Sequence, residues 1–181
     1  MNSAERVLRA YLHAKDENRP LHMQHAFTPD AVLEMQVASD NIAFPARSEG
    51  LAAITDVLVR RFGERYDNVY TFYLGRPAVE TAHFRCDWLV GMTDKEKGEV
   101  RVGCGSYDWY FETAEPRCAE KLKIVIAAME VLPAAQAPTV FQWLLSLPYP
   151  WTDAAAVLKE APALAGLQPV LAWLREGGRQ G

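Results

Sequence analysis

Apolar and polar residues alternate through most of residues 82–112, on both sides of the polar segment 93–98. Side chains along a β-strand point alternately to the two faces of a sheet, so this pattern predicts two long strands joined by a turn. Gly91, Gly103 and Gly105 lie inside these strands, where glycine permits bends and bulges. We therefore expect a long, curved hairpin with two chemically different faces and a hollow on its concave side.

Three segments that precede the hairpin carry apolar residues three or four positions apart, which predicts helices with one apolar face. They are residues 3–14, a short segment that begins at Pro20, and residues 51–64. The stripe of the last segment consists of Leu51, Ile54, Leu58 and Phe62. Helices of this kind can fill the hollow of a curved sheet.

Three further segments are rich in β-branched, aromatic or other apolar residues and predict strands: Val32–Val37, Val69–Leu74 and Leu122–Met129. The elements then follow in the order helices, strand, helix and four successive strands. This order predicts an α+β protein with helices on one face of an antiparallel sheet.

The composition changes after residue 132. Residues 139–147 are almost wholly apolar, Pro148 and Pro150 follow, and two short helical patterns complete the chain. A segment this apolar is expected to be buried rather than to hang free in water. We therefore divide the chain into a domain over 1–132 and a helical extension over 133–181, which packs on the same domain or on a partner subunit.

Composition and charge exclude several classes of function. A net charge of −4 argues against nucleic-acid and anionic-membrane partners, which need a basic surface. The three cysteines have no metal-ligand spacing and predict reduced thiols. No apolar run approaches the roughly 20 residues of a membrane helix and no signal-peptide core is evident, so a cytoplasmic location is expected. No phosphate-cradling glycine motif or nucleophile elbow occurs, and no cofactor or metal is expected.

Two short motifs indicate a family. Phe-Thr-Pro-Asp-Ala occupies 27–31 and leads into a predicted strand, and Gly-x-x-Ala-Ile occupies 50–54 and opens a predicted helix. With the element order, these motifs resemble the NTF2-like superfamily, specifically its SnoaL-like and ketosteroid-isomerase-like members, over about residues 4–131. The resemblance implies a cone: a strongly curved antiparallel sheet wrapped around three N-terminal helices, with a pocket inside. It also implies a homodimer built through the outer face of the sheet.

The resemblance implies roles for particular residues as well. Against ketosteroid isomerases, Tyr11 takes the position of the oxyanion-donating tyrosine, and Asp108 lies near that of the protonated aspartic acid. The position of the proton-abstracting aspartate falls on Met35, whose thioether cannot take a proton. Arg85 and Asp87 resemble the Arg-x-Asp pair of limonene epoxide hydrolase, although the last strand offers no counterpart to the second aspartate of that enzyme.

His83, Arg85 and Asp87 share one face of the predicted hairpin, and the apolar residues between them share the other. If the polar face lines the pocket, these three side chains form an acid/base set. If the apolar face fills the hollow, they belong to the outer surface. The pattern leaves both possibilities open.

Together these observations predict a SnoaL-like pocket protein: a cofactor-independent acid/base enzyme of the isomerase, cyclase, dehydratase or hydrolase type that acts on a small apolar metabolite. The expected catalytic residues are Tyr11, His83, Arg85, Asp87 and Asp108. The expected ligand-binding residues are Phe27, Met35, Phe62, Trp88 and Trp109. The alternative is a noncatalytic small-ligand-binding or dimerisation module of the same fold, which the missing base at Met35 favours.

Overall fold

One six-stranded sheet organises the protein, which the computed structural model describes over residues 1–177. Its strands are β1 (Phe27–Val37), β2 (Arg47–Glu49), β3 (Tyr66–Leu74), β4 (His83–Asp94), β5 (Val100–Phe111) and β6 (Ala119–Leu132). The helices before β3 are α1 (Ser3–Asp16), a 3₁₀ helix (Pro20–His25), α2 (Leu51–Thr55), a π-helical turn (Asp56–Arg60) and α3 (Arg61–Arg65). The predicted α+β class is confirmed.

The strand order is β2-β1-β6-β5-β4-β3. Neighbouring strands are antiparallel except for β1 and β6, which run parallel, so the sheet is mixed rather than purely antiparallel. β1 and β6 lie far apart in sequence, and no tight turn between them imposes an antiparallel pairing. The predicted hairpin is β4–β5, paired in register from His83 with Tyr110 to Thr93 with Val100.

The sheet departs from regular pairing at Gly105, next to the register shift between β5 and β6. A Cβ on Gly105 would overlap the carbonyl oxygen of Val125 and press on the Trp88 ring. Only glycine therefore lets the two strands approach this closely. The concave side that results holds α1, the 3₁₀ helix and α2–α3.

The inner core lies between these helices and the concave face. α1 begins after Asn2, whose side-chain oxygen accepts a hydrogen bond from the Glu5 amide at 2.8 Å. The apolar face of α1 brings Tyr11 against Phe27 and Trp109, whose ring centroids lie 6.2 and 5.1 Å away. All three side chains are fully buried.

The C-terminal segment packs on the opposite, outer face of the sheet. It forms α4 (Ala137–Ser146), α5 (Ala154–Glu160) and α6 (Gln168–Gly177). Their buried side chains make a second core with outward-facing residues of β3, β4 and β5, including Phe72, Leu89 and Cys104. The apolar half of the outer face is therefore covered by the chain itself.

Residues 149–152 carry this segment around the edge of the sheet. The Tyr73 amide donates to the Pro150 carbonyl at 2.8 Å, and the Thr152 amide donates to the Tyr73 carbonyl at 2.9 Å. Trp151 then stacks on the Tyr73 ring, at 5.1 Å between centroids, and packs against the inner core. The C-terminal segment thus contacts both faces of the sheet and covers the outer edge of β3.

The half of the outer face that α4–α6 do not cover is polar and aromatic. The register places His83, Arg85, Tyr110, Lys121 and Lys123 there. A homodimer through the outer face stays a prediction, and this half is the surface that it would have to use. None of the described helices has both the length and the hydropathy that crossing a bilayer requires.

Candidate functional site

A small cavity lies between the concave face of the sheet and the helices α1 and α2–α3. Its volume is about 40 Å³, which gives room for only a few water-sized groups. Most of its wall is apolar: Met35, Ile42, Phe44, Leu58, Phe62, Trp88, Val90, Met92, Ile124, Ile126 and Met129. Such a wall favours apolar contents, and the polar groups of the remaining wall decide the orientation of anything bound.

Lys15 and Thr71 form the polar part of the wall together with a carboxylate behind them. Lys15 Nζ lies 2.6 Å from Asp16 Oδ1 and donates to Thr71 Oγ1 at 2.8 Å. The Thr71 amide donates to Asp16 Oδ2 at 2.8 Å. The Lys15 and Asp16 side chains are only 7% and 3% exposed. Buried charges persist only when they are paired and hydrogen-bonded, as both are here.

The last turn of α1 positions this cluster. A lysine near a helix C-terminus is favoured by the partial negative charge of the terminal carbonyls. Lys15 also lies above the rings of Phe62 and Tyr11, at 5.1 and 5.8 Å from their centroids, within the range of cation–π attraction. Asp16 links the end of α1 to β3 through Thr71. The ammonium group is therefore held at one place in the cavity wall.

Two tyrosines complete the polar side of the cavity. Tyr11 and Tyr107 both line it, and their ring centroids lie 6.0 Å apart. Burial raises the pKa of both phenols well above the ordinary value. Both hydroxyl groups consequently stay protonated across the physiological range and can only donate or accept hydrogen bonds as neutral groups.

The structure does not bring the five predicted catalytic residues together. Tyr11 lies at the inner cavity, whereas the other four lie on the outer face of the sheet. There His83 Nε2 lies 3.0 Å from Asp108 Oδ1, and Arg85 Nη1 lies 3.2 Å from Asp108 Oδ2. Burial of the apolar alternate residues, among them Trp88, decides this orientation, because the concave side is where water is excluded.

This geometry also corrects the expected environment of Asp108. The resemblance implied a place in the pocket for Asp108, near the position of the catalytic aspartic acid of ketosteroid isomerases. Instead its carboxylate accepts from Arg85 and contacts the His83 ring in an ion-pair network across β4 and β5. The network is an ordinary cross-strand arrangement of polar and charged side chains, with the sheet between it and the cavity.

Asp87 lies on the same outer face, beside the end of α6. A Cβ on Gly177 would lie 2.9 Å from Asp87 Oδ2, so the helix end approaches the carboxylate closely. Burial raises the pKa of Asp87, and the charge of Arg85 opposes this only in part. The unfolded chain therefore releases the Asp87 proton at lower pH than the folded protein does, and the charged carboxylate opposes docking of the C-terminal segment.

Asp87→Asn is therefore expected to stabilise the protein at pH 7 to 8, by less than about 1 kcal/mol because solvent screens a half-exposed carboxylate. Asp87 has a pKa of about 4 in the unfolded chain and a higher pKa in the folded protein. The free energy of unfolding of the wild-type protein therefore falls as the pH rises from about 4 through the pKa of the folded state. The advantage of the variant should therefore vanish at about pH 4. Urea unfolding at several pH values measures it, with Asp40→Asn in an exposed loop as the control. A gain equal at all pH values would contradict this account.

Three of the five predicted ligand-binding residues, Met35, Phe62 and Trp88, line the cavity. Phe27 and Trp109 do not; they stack on each other at 5.7 Å in the core beneath Tyr11. Lys15 and Thr71 were not predicted from the sequence as part of the cavity wall. Lys15 follows Tyr11 by four residues on the apolar face of α1, and this spacing was the available signal.

Three histidines, His13, His22 and His25, lie close together near the end of α1. The rings of His13 and His22 lie 4.5 Å apart, and those of His22 and His25 lie 5.8 Å apart. Within residues 1–177, no three His, Cys, Asp or Glu side chains are grouped so that they could hold a metal ion.

Comparison with solved structures identifies the fold. An NTF2-like superfamily protein from Salmonella enterica superposes with a TM-score of 0.55 at 14% identity, covering 67% of this chain and 88% of its own. Two hexachlorocyclohexane dehydrochlorinases also superpose at 13% identity. The type 2 enzyme superposes with a TM-score of 0.58, and the match covers 72% of this chain and 86% of the enzyme. The type 3 enzyme, from Novosphingobium barchaimii, superposes with a TM-score of 0.54, and the match covers 72% of this chain and 88% of the enzyme. No family model and no curated protein matches the sequence. The chain has the NTF2-like fold.

Proposed function

We propose that this protein is a SnoaL-like pocket protein that binds a small, largely apolar molecule carrying one oxygen acceptor. The observation that carries the proposal is the buried Lys15 ammonium in the wall of an otherwise apolar cavity. An ammonium group has three N–H donors. Asp16 and Thr71 take two of them, which leaves one for a ligand oxygen. That one directional contact would orient an otherwise apolar guest.

The size of the cavity sets a condition on binding. A guest of more than a few heavy atoms requires movement of Ile42 and Phe44, which belong to the segment 38–46 between β1 and β2. This segment contains no helix or strand. Because connecting segments open more readily than packed strands, it is the part of the wall that we expect to move.

Acid/base catalysis is the second candidate, as an isomerase, cyclase, dehydratase or hydrolase. It is favoured by the grouping of the Lys15–Asp16 pair with two neutral phenols, which could stabilise a developing oxyanion. A proton acceptor is harder to assign. In the described part of the chain, the cavity wall contains no carboxylate or imidazole, and Asp16 lies behind Lys15 and Thr71. Binding is therefore the better supported function.

The test uses 4-fluoroacetophenone and 1-ethyl-4-fluorobenzene, which have similar shapes but differ in the carbonyl oxygen. Fluorine NMR is expected to show tighter binding of the ketone, by about tenfold for a hydrogen bond to a charged donor. Val90→Phe should abolish binding of both because it fills the inner cavity. The matched control is Val125→Phe, on the outer face of the sheet, which should leave binding intact.

Equal binding to the Val90→Phe and wild-type proteins would overturn the proposal. The same samples test the second candidate, because proton abstraction from the ketone methyl group in deuterated water would exchange its hydrogens. If the protein speeds hydrogen exchange at the methyl group above the rate in the free ketone, and Val90→Phe loses this effect, catalysis would be the better supported function.

A further inference from the structure

A second cavity adjoins the inner one. Its volume is about 270 Å³, and it lies between residues 42–45 and the α3 region. The two cavities share Ile42, Phe44 and Phe62 as wall residues, so these three side chains form the partition between them. We call the second cavity the vestibule. A molecule that reaches the inner cavity from this side has to pass the partition.

Arg65 gives the vestibule a positive charge that no ion pair compensates. Arg61, which also lines it, pairs with Asp56 at 2.8 Å. Arg65 has no carboxylate within 4.0 Å in the described part of the chain, and its side chain is exposed. Glu64 is the one acidic side chain of the same wall and forms no ion pair with Arg65. The vestibule therefore has a free guanidinium at its rim.

Tyr66 adds a second, independent indication of a polar occupant. It lines the vestibule, is 5% exposed, and its hydroxyl group is buried without a hydrogen-bond partner. The guanidinium groups of Arg65 and Arg101 lie 5.8 and 5.7 Å from its ring centroid. Arg101 is not part of the vestibule wall, and its Nη1 pairs with Asp94 Oδ2 at 2.9 Å. An unpaired buried donor is costly in a folded protein, and an acceptor atom beside the Tyr66 hydroxyl group would satisfy it.

We propose that the vestibule binds the carboxylate of a small amphipathic monoanion, with Arg65 and Tyr66 as its donors. The rest of the same molecule, apolar apart from the oxygen acceptor that Lys15 binds, passes the partition and lies in the inner cavity. This inference therefore rests on the proposed function and specifies its ligand class. A monoanion fits better than a multiply charged group, because one free guanidinium faces it and Glu64 lies nearby.

The experiment compares 4-fluorophenylacetate with the neutral 4-fluorophenylacetamide by fluorine NMR at low salt. The carboxylate is expected to bind about tenfold more tightly than the amide to the wild-type protein, and added salt should reduce the difference. Arg65→Gln should remove most of this preference without weakening the amide. Tyr66→Phe should remove part of it. The matched control is Arg60→Gln, which makes the same charge change on the same helical segment outside both cavities.

The outcomes separate this inference from the proposed function. If both probes bind equally and Arg65→Gln changes neither, the vestibule inference is wrong while the inner-cavity proposal stands. If Arg60→Gln lowers the preference for the carboxylate as much as Arg65→Gln does, the preference comes from the overall charge of the protein. The vestibule inference is then again wrong. If neither probe binds and the neutral ketone also fails to bind, both proposals are overturned. A further gain in carboxylate affinity with Glu64→Gln would support the assigned position.

Discussion

Lys15→Met is expected to lower the free energy of unfolding by about 3 kcal/mol, because it leaves the buried Asp16 carboxylate without its cation. Methionine fills a volume similar to that of the lysine stem, so lost packing contributes little. Urea unfolding at pH 7 measures the change. The preference for 4-fluoroacetophenone over 1-ethyl-4-fluorobenzene should disappear in the same variant, since the ligand oxygen loses its charged donor.

The matched comparison is a double-mutant cycle with Asp16→Asn. Removing both charges should recover part of the stability that Lys15→Met loses, because no unpaired ion then remains buried. Simple addition of the two losses would show that the ion pair does not act as a unit. The charged cluster would then not be the anchor of the cavity wall that we describe.

Trp143→Ala is expected to lower the free energy of unfolding by about 3 to 5 kcal/mol, the usual range for removing a buried tryptophan. Trp143 is 3% exposed in the outer core, and its indole N–H donates to the Val157 carbonyl at 3.1 Å. The substitution therefore leaves a cavity and also removes the hydrogen bond that joins α4 to α5. Chemical denaturation, followed by tryptophan fluorescence and circular dichroism, measures the resulting change in the free energy of unfolding.

Leu145→Ala is the control for this prediction, since Leu145 lies two residues further along α4 and is 63% exposed. It should change stability by no more than about 0.5 kcal/mol. A loss below about 1 kcal/mol for Trp143→Ala would mean that α4–α6 contribute little to the stability of the sheet. That result would contradict the single folded unit that the contacts at Tyr73 and Trp151 indicate.

The C-terminal segment changes how the outer face of the sheet can be used. The sequence alone left open whether residues 133–181 pack on the same domain or on a partner. In the described residues, α4–α6 bury the apolar outer half of β3, β4 and β5. Any partner of this face therefore meets the ion-pair network of His83, Arg85 and Asp108, and a homodimer there remains to be tested by light scattering.

Much of the fold follows from local pattern. The hairpin could be predicted because alternation over a dozen residues is a strong signal, and the stripe of Leu51, Ile54, Leu58 and Phe62 predicted the helix that crosses the sheet. β2 could not be predicted, since its three residues are too few to show a period. The parallel pairing of β1 with β6 was also missed, because it depends on strands about ninety residues apart.

The candidate site was less predictable. Alternation placed His83, Arg85 and Asp87 on one face of β4, but which face turns inward depends on what fills the cone. Lys15, Asp16 and Thr71 form a buried cluster only because α1 ends beside β3, and sequence distance hides that proximity. The sequence by itself therefore determined the elements and the two faces of each strand, since both follow from local periodicity. The tertiary structure decided which polar groups share a cavity, because burial and charge pairing arise between segments that are distant along the chain.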